Sequence, residues 1–137
     1  MSGQDDDHGN RRVRLALCDM TQDVLQRVEH SLARIAQMIP MEARELIDPH
    51  TQADAGLILI RPPHANGVES LARLRAERQD VPIVVIGQGL DATHAVELIK
   101  CGAADFLQLP VEADVLRNKV ERIFHGHARP ALNSMAL

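Results

Sequence analysis

The sequence predicts an α/β domain in which five short apolar strands alternate with helices and stack as a three-layer sandwich. Three observations carry that expectation. The run Gly56-Leu57-Ile58-Leu59-Ile60 is small or apolar throughout, includes two β-branched residues, and stops at Arg61-Pro62-Pro63. Such a run, with no polar face, belongs to a strand buried on both sides, as in a parallel sheet. Similar runs at residues 13–18, 81–86 and 103–109 are separated by segments whose apolar residues recur at the helical period. A chain of 137 residues with 45% hydrophobic content is sized for one core, burying about two-thirds of its unfolded surface.

Taken in order, residues 1–11 lack a hydrophobic pattern and read as a disordered tail, with Asp5, Asp6 and Asp7 in succession. Val13-Arg14-Leu15-Ala16-Leu17-Cys18 is the first strand and ends at Asp19. Thr21 and Asp23 suit a helix start, and Val24, Leu25, Val28, Leu32, Ile35 and Ile39 keep helical spacing, so the first helix is expected to run to Pro40. Residues 41–47 are assigned as a weaker strand. The stretch 48–55 that follows is rich in turn formers and too short for a full helix, so the second crossover helix is expected to be shortened or absent. After the central strand, Asn66 is placed as the cap of the third helix, with Val68, Leu71 and Leu74 inward and an end at residues 78–80.

Residues 81–86 form the fourth strand. Gly87-Gln88-Gly89-Leu90 turns the chain, Asp91 caps the fourth helix, and Ala95, Val96 and Ile99 are assigned to the core, with Gly102 closing the helix. Pro110 stops a short fifth strand, and a last helix over about 113–124 is expected to bury Val115, Leu116, Val120 and Ile123. The pattern ends at His125, which makes 12–124 the domain and 125–137 a linker or tail.

Composition excludes several functions. Two Phe, no Tyr and no Trp leave little for stacking on bases or sugars. The formal charge of −4 comes largely from the acidic start; the near-neutral remainder shows no basic face, so no direct nucleic-acid contact is expected. No run of about 18 apolar residues occurs, which argues against a membrane span. Cys18 and Cys101 are unclustered, as reduced thiols in the cytoplasm would be. Ser31, Ser70 and Ser134 lack a nucleophile-elbow context, and the seven His are scattered, with His125 and His127 in the tail. No catalytic residue, metal or cofactor is assigned.

Three stretches together resemble the receiver domain of bacterial response regulators. Pro63-His64-Ala65-Asn66-Gly67 is similar to that family's Pro-x-x-Asp-Gly turn after the third strand. Gly102-Ala103-Ala104-Asp105-Phe106-Leu107-Gln108-Leu109-Pro110 resembles its Gly-Ala-x-x-(Tyr/Phe)-x-x-Lys-Pro segment, and Val81-Pro82-Ile83-Val84-Val85-Ile86 its fourth strand. The resemblance spans about 12–124 and implies a flavodoxin-like parallel sheet in the order 2-1-3-4-5. It also implies where the chemistry should lie. The phosphate-accepting aspartate falls on Leu59, the lysine on Leu109 and the Thr/Ser on Gly87, while of the Mg²⁺-binding acidic pair only Asp19 remains, with Cys18 in the other place.

Phosphoryl transfer to a carboxylate needs that carboxylate, a divalent ion and a cation beside it. Leu59 is no nucleophile. Removing only one member of the buried Asp–Lys pair would strand a charge at about 3 kcal/mol or more, whereas replacing both by leucine can be neutral or stabilising. A filled, dry crevice with Leu59 and Leu109 in or near contact is therefore expected. Phe106 sits at the family's switch aromatic, whose rotamer reports phosphorylation; without that trigger it is expected to be fixed in the core or an interface. The resemblance implies action through a protein partner or a homodimer on the face made by the fourth helix, fifth strand and fifth helix, with His94, Glu97, Lys100, Asp105, Gln108, Lys119 and Arg122 as interface candidates. It also implies an attached output domain that regulates transcription.

Two other readings remain open at this point. Gly87-Gln88-Gly89-Leu90-Asp91-Ala92 fits Gly-x-Gly-x-x-Ala and could bring backbone amides to a nucleotide or cyclic dinucleotide. Asp91 at the helix start opposes it. Phosphorylation at a displaced acid, Asp19 or Asp54, is the second alternative; Asp54 precedes the central strand and should lie at the opposite edge. Cys18, as a half-buried thiol, reads as small packing or as a redox sensor.

Overall fold

The computed structural model describes residues 13–128. Five parallel strands, β1 (Val13–Cys18), β2 (Ala36–Met41), β3 (Ala55–Ile60), β4 (Ile83–Gly87) and β5 (Asp105–Gln108), form one sheet in the order β2-β1-β3-β4-β5. The connecting helices are α1 (Gln22–Leu32), α2 (Ala43–Ile47), α3 (His64–Glu77), α4 (Ala92–Lys100) and α5 (Ala113–Ala128). All six residues of β3 are buried, as a central parallel strand requires. Alternation along the strands divides the core into two layers. Leu15, Leu57, Leu59 and Ile86 face α1 and α5, while Ala16, Ile58, Ile60 and Val85 face α2, α3 and α4.

Several expectations need correction. The first helix ends at Leu32 rather than Pro40, and the second strand is Ala36–Met41 rather than 41–47. Ile35 and Ile39 happen to continue the helical spacing, but Pro40 can sit in β2 because β2 is an edge strand, bonded to β1 alone. The segment assigned as a strand is instead the five-residue α2. This is the shortened crossover helix, placed earlier than expected. It carries a capping box formed by Glu42 and Glu45, and the spacing Glu-x-x-Glu was its overlooked signal.

Asn66 does not cap α3. Pro63 is the N-cap, and Asn66 already lies in the first turn. In α4 only Leu98 is fully buried, while Val96 is 55% and Ile99 44% exposed. A nine-residue helix beside an edge strand presents only a narrow strip inward, and Leu98 takes it. Val115 is likewise 42% exposed, whereas Leu116 and Val120 turn into the core. Asp91 and Gly102 act as expected. The Asp91 carboxylate accepts the His94 backbone N–H, and Gly102 takes a φ of +110°, which side chains resist. The tail expected at 1–11 lies outside the described residues; of the linker or tail expected at 125–137, residues 125–128 instead continue α5, and the rest lie outside the described residues.

Candidate functional site

In a sheet of this order the crevice forms where neighbouring connections leave in opposite directions, at the carboxyl ends of β1 and β3. A hollow of about 280 Å³ lies there, lined by Asp19, Leu59, Arg61, Asn66 and Ser70 among others. Leu59 is 5% exposed and belongs to the apolar layer under α1 and α5, against which Leu109 also packs. Both leucines thus join one apolar cluster. The crevice is lined rather than plugged, contrary to the expectation of a filled pocket, because a hollow remains between Asp19 and the start of α3.

Asp19 has a φ of 60°, a conformation Asp tolerates better than most residues. Its N–H donates to the Met41 carbonyl at 3.0 Å, and its Oδ1 accepts the Ala43 N–H at 3.0 Å. The carboxylate that lines the hollow is therefore bound to the first turn of α2. Cys18, beside it, is fully buried. Burial first, then the charges of Asp19 and Glu45, push its thiol up to about 12, so the nucleophilic thiolate is suppressed and a sensor role is unsupported. Among the described residues no group of three or more His, Cys, Asp or Glu is disposed to hold a metal ion.

Gly87 ends β4, paired with Ile60 and Gln108 of its neighbours, and the Phe106 ring lies over it. Of the interface candidates, Lys119 and Asp105 form an ion pair at 2.8 Å. Gln108 Nε2 donates to the Leu90 carbonyl at 2.7 Å, and His94 completes the capping box with Asp91. Glu97, Lys100 and Arg122 are exposed. Three surface features escaped the sequence reading: Arg61 in the hollow, and exposed Val96 and Ile99 on α4.

The alternative sites fare differently. Asp91 occupies the start of α4 with its own carboxylate, whose pKa is held below the ordinary value chiefly by the His94 N–H, so the position a phosphate would take carries a negative charge. Asp54 lies just before β3, at the edge of the sheet opposite the hollow, and accepts the Arg14 N–H at 2.7 Å.

Strand order, helix layers and the crevice at the ends of β1 and β3 define a doubly wound α/β domain of the flavodoxin-like class. The sequence profile of the response regulator receiver domain matches residues 5–121, and the chain belongs to that family. It is 37% identical over 78 residues to the transcriptional regulatory protein FixJ of Bradyrhizobium diazoefficiens, a match covering 57% of this chain and 38% of FixJ. It is also 37% identical over 76 residues to the regulatory protein LuxO of Vibrio vulnificus, covering 54% of this chain and 17% of LuxO. The chain therefore matches well under two thirds of the length of these relatives. The crystal structure of the signal receiver domain of a putative LuxO repressor protein from Vibrio parahaemolyticus superposes with a TM-score of 0.77 at 19% identity, over 88% of this chain and 96% of that one. At that identity the likeness concerns the fold. No helix among the described residues is long and apolar enough to cross a membrane.

Proposed function

We propose that this domain is a receiver that neither holds Mg²⁺ nor accepts phosphate, and that it works by docking to a protein partner or to a second copy of itself. One observation carries the reading. Where the family places its phosphate-accepting aspartate, this chain has Leu59, seated in an apolar cluster that Leu109 shares. The Cys18, Asp19 and Gly87 positions support it: a suppressed thiol, a carboxylate already bound to a helix N–H, and a residue with no hydroxyl. The domain catalyses nothing of its own on this reading, and it takes no nucleotide at the Gly87-Gln88-Gly89 turn.

The surface that docks is the one formed by α4, β5 and α5. Val96 and Ile99 on α4 and Val115 on α5 are exposed large apolar side chains, and the same helices carry Glu97, Lys100 and Arg122. An apolar centre with a polar rim is how protein interfaces are built. The output follows FixJ and LuxO, named as regulatory proteins, and is the control of transcription in the cytoplasm. This domain would govern an output domain rather than touch nucleic acid itself.

Incubation with Mg²⁺ and acetyl phosphate should leave the intact mass unchanged; a phosphoryl adduct on any carboxylate would overturn the reading. Ile99→Glu should abolish association in sedimentation velocity while leaving stability within about 0.5 kcal/mol, as for most exposed positions.

A further inference from the structure

We infer that the hollow at the carboxyl ends of β1 and β3 is a binding site for a free aliphatic α-amino acid, held between Arg61 and Asp19. Cys18 stands opposite Ile58 in the β1–β3 register, so Asp19, which follows β1, leaves the sheet beside Leu59. Arg61 follows the last residue of β3. An acid and a base from neighbouring strand ends thus line one hollow, and among the described residues no ion pair joins them.

The polar groups at this hollow have capacity to spare. Asp19 Oδ1 accepts the Ala43 N–H at 3.0 Å, and Oδ2 has no partner among the described residues. The Arg61 guanidinium, the Asn66 amide and the Ser70 hydroxyl are likewise unengaged among the described residues. Beneath them the floor is apolar, with Leu59 and Ile60 both buried. A second hollow of about 350 Å³ adjoins through the same two charged residues and is walled by Leu17, Met20, Leu25, Pro40 and Met41.

These features select a ligand class. A volume of about 280 Å³ lies at the small end of ligand pockets. One guanidinium beside one carboxylate suits a molecule that carries both charges; a phosphate ester would set its charge against Asp19, and a diamine would meet Arg61. An α-amino acid holds the two on a single carbon. Its carboxylate pairs with Arg61, with Ser70 and Asn66 as further donors, and its ammonium donates to Asp19 Oδ2. The aliphatic and thioether wall takes a side chain such as that of leucine, isoleucine or methionine. A ligand so bound ties the end of β1 to the first turns of α3 and gives the domain a chemical input in place of a phosphoryl group. That use rests on the receiver reading above; the site rests on the side chains at the hollow.

The test is a titration of the full chain, followed by amide NMR shifts, with L-leucine and two analogues that each keep one charge: isocaproate, which lacks the ammonium, and isoamylamine, which lacks the carboxylate. Leucine should bind saturably with its largest shifts at Asp19, Arg61 and Ser70, and each analogue should bind about tenfold more weakly or worse, as the loss of a charged contact dictates. Arg61→Gln should weaken leucine and isocaproate and spare isoamylamine. Asp19→Asn, which keeps an oxygen for the Ala43 N–H, should weaken leucine and isoamylamine and spare isocaproate. General disturbance of the fold would not give that crossed pattern. If either variant does not fold, the analogue series on the parent chain decides. No saturable binding of leucine, isoleucine or methionine, analogues as tight as leucine, shifts centred away from the hollow, or equal weakening of all three ligands by each variant would overturn the site. A phosphoryl adduct from acetyl phosphate with the crossed pattern intact would remove the receiver reading and leave the site standing; no adduct and no binding would do the reverse.

Discussion

The two edges of the sheet solve the same problem in opposite ways. At the amino edge Arg78 is 5% exposed, and its guanidinium is fully engaged. Nη1 donates to the carbonyls of Leu46, Asp48 and Thr51 at 2.8, 2.7 and 3.0 Å, and Nε and Nη2 reach Asp80. At the carboxyl edge, Leu59 and Leu109 share an apolar cluster. The carboxylate beside them, Asp19, is turned to α2. A buried charge persists where it closes backbone that nothing else would close. The five-residue α2 leaves its last carbonyls without internal donors; Arg78 supplies one to Leu46 and ties the helix to the Asp48 and Thr51 carbonyls of the turn that follows.

The sharpest way to break this comparison is Arg78→Met. It should cost about 3 kcal/mol or more in urea unfolding, because three carbonyls lose a charged donor at a buried position. Arg78→Lys should recover less than half of the loss, since an ammonium lacks the planar fork.

The converse is to place a charge at the apolar edge. Leu59→Asp should destabilise by about 2–3 kcal/mol at neutral pH, as a buried carboxylate without a partner does. Burial raises the pKa of such a carboxyl, so the cost should shrink as pH falls and the group takes up its proton. Adding Leu109→Lys should return part of the stability by pairing the charge. An unchanged urea midpoint for Leu59→Asp would mean that the edge is not closed to charge.

Asp19→Ala is a smaller change and should cost about 1 kcal/mol, the usual loss of a side-chain acceptor at a helix start. The smallest effect is chemical. Cys18 should resist alkylation in the folded protein near neutral pH while Cys101, which is partly exposed, reacts; both should react in urea. Because burial raises the Cys18 pKa from 9.0 to about 12, the unfolded chain ionises first. Stability from this group is complete below 9.0 and is lost as pH climbs toward 12.

Much of the sheet was legible because each strand states its burial in its own residues. Gly56 to Ile60 is apolar at every position, and β3 is buried along its whole length. Asp91 and Gly102 were legible for the same local reason, since caps act within a few residues. The second strand was not. Ala36–Met41 carries helical spacing and a proline, and only its place at the edge of the sheet makes it a strand. The candidate site was legible as a set of positions, Leu59, Leu109, Gly87 and Phe106, but not as an arrangement. Neither the ring lying over Gly87 nor the turning of Asp19 to Ala43 has a signature in local sequence.

By itself, the sequence determined the alternation of strands and helices, the shortened second crossover and the leucines at positions 59 and 109, because these follow from residue type and period. Tertiary structure alone decided which face of α4 meets the core, which carboxylate holds α2 and which guanidinium closes its far end. Those choices join residues far apart in the chain, as Arg78 meets Leu46 across 32 positions. Their energies depend on desolvation and packing that exist only once the layers have come together.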